Sequence, residues 1–255
     1  MERNFISQFQ RLSGIKGACL SQTDSLTEFV SGYQAPWMNG VLVSSGSHAD
    51  LNNLIASTLS KYACPMVWRV GVLSSEPQRL KEALTASGLY PLNREPGMVL
   101  DRKRFSYSQP LPEFTVEVVQ TQEQVNDYLI PFADAYDLPQ EVVEHFRQFM
   151  MTQVEGSTSQ AWFTGYVEDV PVSTTYYLTD NEVTMIYAVG TLSKFRNRGY
   201  ARRTMEAAIK HAWQHFDAPI ALYSSAMGHS LYASMGFEDV CFVEQYIYTP
   251  LVVES

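Results

Sequence analysis

The stretch from Glu182 to Phe237, EVTMIYAVGTLSKFRNRGYARRTMEAAIKHAWQHFDAPIALYSSAMGHSLYASMGF, constrains this chain more than any other. It reads as strand, glycine-bearing turn, helix, strand and short helix. The run Val183 to Val189 is β-branched and aromatic, which predicts a strand. Ala201, Met205, Ala208, Ile209, Ala212 and Phe216 recur at helical spacing, with Arg202, Arg203, Glu206, Lys210 and Gln214 on the opposite face. A chain with this order is a mixed α/β protein, because its strands precede, separate and follow the helices.

The turn between that strand and helix, Arg196-Asn197-Arg198-Gly199-Tyr200-Ala201, has the chemistry of an anion site. The unpaired amides of a first helical turn point outward, and the helix dipole favours negative charge there. Gly199 and Ala201 carry almost no side chain, so a phosphate can approach the backbone, and Arg196 and Arg198 add charge. Neither GxGxxG nor GxxxxGK[ST] is present, so the anion is held by a different kind of loop.

Arg196-x-x-Gly199-x-Ala201 resembles the [Q/R]-x-x-G-x-[G/A] signature of the GNAT superfamily of acyl-CoA-dependent N-acyltransferases. Val189-Gly190-Thr191 falls where that family's cofactor-binding strand ends. Ser225 to Phe237 looks like its closing helix, with Tyr232 four residues before Gly236-Phe237. Three segments in order, over roughly the C-terminal half of the chain, carry the resemblance. Asn197 departs from the glycine often found after the first arginine, a position the strict signature leaves open.

The resemblance implies direct transfer of acetyl from acetyl-CoA, the co-substrate, to a primary amine, with no covalent enzyme intermediate. Backbone groups of Val189, Gly190 and Thr191 would hold pantetheine, the Val189 amide would face the oxyanion, and amides across Arg196, Asn197, Arg198, Gly199, Tyr200, Ala201 and Arg202 would hold the pyrophosphate. Tyr232 is the expected general acid for the leaving thiolate, since a phenol beside the sulfur can protonate it. A base for the amine is not singled out; Tyr187 on the strand, Glu168 and Asp169 between two strands, and Glu144-His145 on a helix are all candidates. Ser225 either contacts the cofactor or caps the closing helix. His211 and His215 have a metal-capable spacing but no third ligand in sequence, and no metal is expected.

The N-terminal half repeats the order strand, helix, strand, helix, strand: Met38 to Ser44, Leu51 to Tyr62, Met66 to Leu73, a helix opened by Pro77 and ending at Gly88, then Gly97 to Leu100. Its counterpart of the anion turn, Ser44 to Asp50 (SSGSHAD), lacks both arginines, and no tyrosine precedes its final glycine as Tyr232 precedes Gly236. The expectation is a tandem GNAT fold: 1–105 a degenerate domain without the cofactor motif, 106–112 a connector, and 113–255 the catalytic domain. Met1 to Ser31 reads as one or two short helices broken at Gly14.

Composition narrows the partners. With 18 Lys+Arg against 27 Asp+Glu, the net charge of -9 argues against general nucleic-acid binding and suits an amine substrate. The 3 cysteines are scattered and form neither a disulfide framework nor a zinc cluster, which fits a reducing compartment. No apolar run resembles a secretory signal or a membrane span, so a cytoplasmic protein without membrane partners is expected. The expected acceptor is a small-molecule or peptide amine, and the expected state a monomer or homodimer. A protein lysine or N-terminal acetyltransferase, or a non-catalytic acyl-CoA-binding sensor, are the alternatives; Tyr232 speaks against the sensor.

Overall fold

The computed structural model describes residues 1–24, 26–43, 50–62, 64–154, 159–180 and 182–250. The turn read at Ser44 to Asp50 lies outside them except for Asp50, and so does Asn181. In chain order the first half contains α1 (Glu2–Leu12), β1 (Cys19–Gln22), β2 (Leu26–Val30), β3 (Asn39–Val43), α2 (Leu51–Lys61), β4 (Met66–Val70), α3 (Pro77–Ala86) and β5 (Tyr90–Leu100). The second half contains β6 (Phe114–Val118), α4 (Gln122–Tyr136), α5 (Gln140–Gln153), β7 (Gln160–Val167), β8 (Val170–Thr179), β9 (Thr184–Thr191), α6 (Tyr200–His215), β10 (Ile220–Tyr223), α7 (His229–Ser234) and β11 (Phe237–Tyr248). Both halves are mixed α/β, as the element order requires.

The chain forms two compact units, whose bounds fall within β5 and β11. The first unit is Glu2–Gly97 with the chain from Asp239 onward; the second is Met1 with Met98–Glu238. Each unit thereby takes residues from the last strand of the opposite half of the sequence. In the first unit β11 pairs antiparallel with β4, Glu244 to Tyr248 against Val70 to Met66. In the second, the end of β5 lies next to β10.

The sheet of the first unit runs β1-β2-β3-β4-β11-β5. Its core gathers Val41, Ile55, Met66, Trp68, Leu84 and Tyr246. The opening of this unit corrects the helical reading of Met1 to Ser31. The helix stops at Leu12, Gly14 and Gly17 follow, and β1 pairs antiparallel with β2 from Cys19 opposite Val30. Leu26–Val30 is buried along its whole length and also pairs with β3, so ladder bonds and burial on both faces outweigh its weak alternation. The strand read as Met66 to Leu73 ends at Val70, because the Glu2 carboxylate accepts the Val72 and Leu73 amides at 2.5 and 2.9 Å.

The sheet of the second unit runs β5-β10-β9-β8-β7-β6, antiparallel from β6 to β9 and parallel between β9 and β10. α4 begins with a capping box: Thr121 Oγ1 accepts the Gln124 amide and Gln124 Oε1 accepts the Thr121 amide, 3.2 and 3.1 Å. Strand alternation sends Phe163, Tyr177 and Ile186 to the face that packs against Met205, Ala208 and Ile209 of α6. Trp162, Tyr176 and Tyr187 point to the other face, the side of α4.

Candidate functional site

Two local features of β9 open the site. Ala188 has φ 52°, and the register with β8 slips here: Tyr176 faces Tyr187 but Thr174 faces Gly190. Two residues, Ala188 and Val189, thus stand opposite Thr175, which is a β-bulge, and Thr174 Oγ1 donates to the Ala188 carbonyl at 2.8 Å. On the other edge β10 pairs with β9 only at Thr184 and Met185. Beyond Met185 the two parallel strands part, and Tyr187, Ala188 and Val189 are only half-buried. Among the described residues, the backbone edge of Ala188 to Thr191 that faces away from β8 has no paired strand. It is an open edge to which an extended amide-bearing chain can add.

Gly190 is buried because α4 lies directly on it: a Cβ there would come within 2.7 Å of Ala135 Cβ. The close approach brings the last turn of α4 to the bulge.

The chain then turns through Ser193–Phe195 into the basic loop. Arg196 Nε donates to the Thr191 carbonyl at 3.2 Å, fixing the loop to the strand end. Asn197 at φ 62° and Gly199 at φ 82° both adopt left-handed backbone, flanking Arg198. Gly199 is the N-cap of α6 with no side-chain cap, and the first intrahelical bond runs from the Arg203 amide to the Gly199 carbonyl at 3.3 Å. The amides of Tyr200, Ala201 and Arg202 are therefore without helical acceptors, on an exposed turn carrying two arginines. Tyr200 itself is buried and stacks on Phe114 at 4.9 Å, anchoring the helix start.

The side chain of Arg202 is committed elsewhere. Its Nε bonds Glu206 Oε1 at 2.9 Å, and Nη1 bonds Ser234 Oγ at 3.0 Å. Glu206 is buried and also accepts the Ser108 amide and hydroxyl at 3.1 and 2.7 Å. The pair ties α6 to α7, the helix that carries Tyr232.

Tyr232 is buried in the α6-face core, edge-on to Phe237. A Cβ at Gly228 would meet its ring at 2.6 Å, so the ring is held against the start of α7. Burial first, then the neighbouring Tyr136 phenol on α4, pushes the Tyr232 hydroxyl above the ordinary tyrosine range. It is protonated at neutral pH, as a proton donor must be. Its hydroxyl has no hydrogen-bond partner among the described residues. Ser225 is exposed, and its Oγ accepts the Gly228 amide at 3.2 Å in the turn that leads into α7.

Of the residues read as possible bases, Tyr187 lies on β9 at the edge of the bulge, its ring 6.0 Å from Tyr176. Glu168 and Asp169 form the exposed β7–β8 turn. Since Ser173 faces Thr191, that turn projects past the end of β9 and not beside Tyr187. Glu144 is exposed and bonded to Arg147 at 3.0 Å and Gln148 at 3.2 Å, which holds its carboxyl below the usual range. His145 Nδ1 pairs with the Glu141 carbonyl at 2.7 Å. The sequence reading missed Tyr136, which carries no motif and sits at the end of a helix whose pattern says only that one face is apolar.

His211 and His215 stack at 4.4 Å near the C-terminal end of α6, where Tyr177 Oη lies 2.9 Å from His211 Nδ1. They border a cavity of about 350 Å³ formed with Trp162, Gln160 and Phe216, at the opposite end of α6 from the anion turn. No group of three or more metal-ligating side chains occurs among the described residues.

In the first unit β3 pairs with β4 at Gly40, Val41 and Leu42, all of β3 is buried, and none of its residues has positive φ.

A bulged strand whose pairing with its parallel neighbour ends early, an uncapped basic helix start and a helix bearing a buried tyrosine make up the candidate site. Residues 123–237 match the Acetyltransferase (GNAT) family. A GCN5-related N-acetyltransferase from Kribbella flavida superposes at TM-score 0.70, covering 95% of this chain and 93% of its own at 14% identity. A functionally unknown conserved protein from Staphylococcus epidermidis gives 0.65 over 93% and 96%, also at 14% identity. A tandem GNAT protein from the clavulanic acid biosynthesis pathway gives 0.64 over 94% and 87%, at 9% identity. No curated protein sequence matches the chain. The segment 123–237 thus matches the GNAT family, and the fold of these proteins, one of them a tandem GNAT protein, extends over nearly all of the chain.

Proposed function

We propose that the protein is an N-acetyltransferase that moves acetyl from acetyl-CoA to a primary amine of a small molecule or peptide by direct attack. The observation that carries this reading is the open edge of β9 running into the uncapped start of α6. Pantetheine amides add to Val189, Gly190 and Thr191 as a further strand would. The pyrophosphate rests on the amides of the 197–202 turn, with the Arg196 and Arg198 charges beside it. The side chain of Arg202 contributes by holding α7, and Ser225 by shaping the turn before it.

In the reaction the amine nitrogen forms a bond to the thioester carbonyl carbon. The oxyanion faces the Val189 amide, the C–S bond breaks, and Tyr232 donates its proton to the departing sulfur. The phenolate left behind is costly in a buried site, so it takes a proton back promptly, ultimately the one the amine loses. Tyr187 is the candidate for the path of that proton. The first unit, whose counterpart turn lacks both arginines, has a structural role, and the protein acts in the cytoplasm as a monomer or homodimer.

The test is amine-dependent release of free thiol from acetyl-CoA, run together with calorimetric binding of acetyl-CoA. Binding with amine-dependent release is expected. Binding without release on any small amine or peptide would replace the enzyme by an acyl-CoA sensor, and no binding would remove the site.

A further inference from the structure

We propose that the cavity at the C-terminal end of α6 is a second binding site, for a small uncharged heteroaromatic molecule with a lactam edge, an N–H beside a C=O on one ring. This goes beyond the acetyl-transfer reading and does not depend on it.

The place and the walls set the size and shape of the ligand. The 16 residues of α6 put its two ends about 24 Å apart, so the cavity is separate from the anion turn. Its volume of about 350 Å³ suits a molecule of one or two rings. Four rings that line it form one connected set. His211 lies 5.9 Å from Tyr177 and 4.4 Å from His215, and Phe216 lies 6.2 Å from both Tyr177 and His215. Flat walls of this kind take a planar body. The polar part of the lining is the side-chain amides of Gln120, Gln153 and Gln160 with the two imidazoles. Among the described residues, no Asp, Glu, Lys or Arg lines the cavity. An ion would lose its hydration there without gaining a counter-charge, which selects an uncharged ligand.

The two histidines supply one acceptor and one donor. His215 Nδ1 lies 2.8 Å from the His211 carbonyl, which only accepts, so Nδ1 carries the proton and Nε2 of the neutral ring is an acceptor. Burial pushes the Tyr177 phenol up to about 12, which keeps it protonated. Its one hydrogen-bond partner among the described residues is His211 Nδ1, at 2.9 Å. A buried hydroxyl proton without an acceptor is costly, so Tyr177 donates to Nδ1 and His211 carries its own proton on Nε2. Burial, then His215, holds His211 below the ordinary imidazole range, so the ring stays neutral. The stacked pair thus offers an N–H and a lone pair side by side, the complement of a lactam. A metal ion needs a bare nitrogen on each ring; a lactam meets the pair as it stands.

The experiment titrates 2-quinolone (a lactam), quinoline (the same rings without the N–H and C=O) and benzoate (an anion) at pH 8, by ligand-observed NMR. Wild type and His215→Phe are compared, each with and without saturating acetyl-CoA. 2-Quinolone should bind at least about tenfold more tightly than quinoline, the worth of one well-made hydrogen bond, and benzoate should not bind. Acetyl-CoA should leave these values unchanged. His215 is exposed, and His215→Phe keeps a ring while removing the acceptor, so the lactam advantage should fall to within about twofold. Equal binding of quinoline and 2-quinolone overturns the lactam class, and preference for benzoate overturns the uncharged one. Displacement by acetyl-CoA, or indifference to His215→Phe, overturns the location. Binding of none of the three overturns the site, and all of these results leave the acetyl-transfer reading untouched.

Discussion

Replacing Gly199 by alanine separates the anion turn's function from its contribution to stability. Gly199 sits at φ +82°, and a Cβ there would lie 2.7 Å from Arg203 Nη1. Left-handed backbone costs an L-residue about 1–2 kcal/mol. The guanidinium must also move, which loosens the Nη1 bond to the Gly199 carbonyl at 3.2 Å; the Nη2 bond to the Gln109 carbonyl at 2.8 Å can persist. That adds about 1 kcal/mol. The sum of about 2–3 kcal/mol lowers Tm by roughly 4–12 °C, leaving a folded protein at 25 °C. The effect on binding is separate. The added methyl and any relaxation of φ turn the amides of Tyr200 and Ala201 away from a bound pyrophosphate. Losing one or two charge-assisted hydrogen bonds, each worth about 1.5–3 kcal/mol, weakens binding by about 10-fold to more than 100-fold. Calorimetric titration of coenzyme A into the folded variant, alongside its thermal melt, reads both quantities. A Kd within twofold of wild type, with the melt lowered as expected, would refute the assignment of this turn as the phosphate site.

Three further outcomes follow from the same geometry. Tyr232→Phe should slow acetyl transfer by about 10²- to 10⁴-fold with unchanged acetyl-CoA affinity; because burial raises the phenol, the wild-type rate should not fall on the alkaline side until pH exceeds the ordinary tyrosine value of about 10. His211 is held below the ordinary imidazole value by burial and then by His215, so the unfolded chain binds its proton first on acidification. The stability that the neutral ring contributes is therefore present above pH ~6.5 and lost as pH falls through the lower folded value; urea melts from pH 7.5 to 5 should show a loss that His211→Gln reduces. Arg202→Met should destabilise the protein by about 3 kcal/mol in urea, because it leaves the buried Glu206 carboxylate with only the two Ser108 donors, whereas Arg202→Met with Glu206→Met should recover much of the loss.

The second half of the fold was legible because its signals are local. Helical spacing set α6, Glu168-Asp169 stood between the two strands of the β7–β8 hairpin, and Gly199 sat in the anion turn at the helix start. The hairpin β1–β2 was not legible, because Leu26–Val30 is buried on both faces and so lacks the alternation that announces a strand. The bulge at Ala188 was equally hidden: alanine has no preference for positive φ, and the register slip is imposed by Thr174 and the neighbouring strand. The effect of Tyr136 on the Tyr232 hydroxyl, from a helix nearly a hundred residues away in sequence, is one that no spacing encodes. Arg202 looked like a phosphate ligand because it stands in the basic motif; only its bonds to Glu206 and Ser234 reveal that its side chain serves α7.

The exchange of last strands between the two halves has a consequence for how the protein is made. The sheet of the first unit needs β11 beside β4, yet Asp239 to Tyr248 are synthesised well over a hundred residues after β4. The N-terminal half therefore waits, with the β4 edge exposed, through translation of everything from β6 to α7. At about 5–20 residues per second that wait lasts on the order of ten seconds, long against the formation of a hairpin or helix. An open edge held that long is a target for chaperones and for pairing with a second nascent chain. The first unit is complete only once β11 is made, so arrest of synthesis before β11 should yield a product that is soluble only while a chaperone holds it.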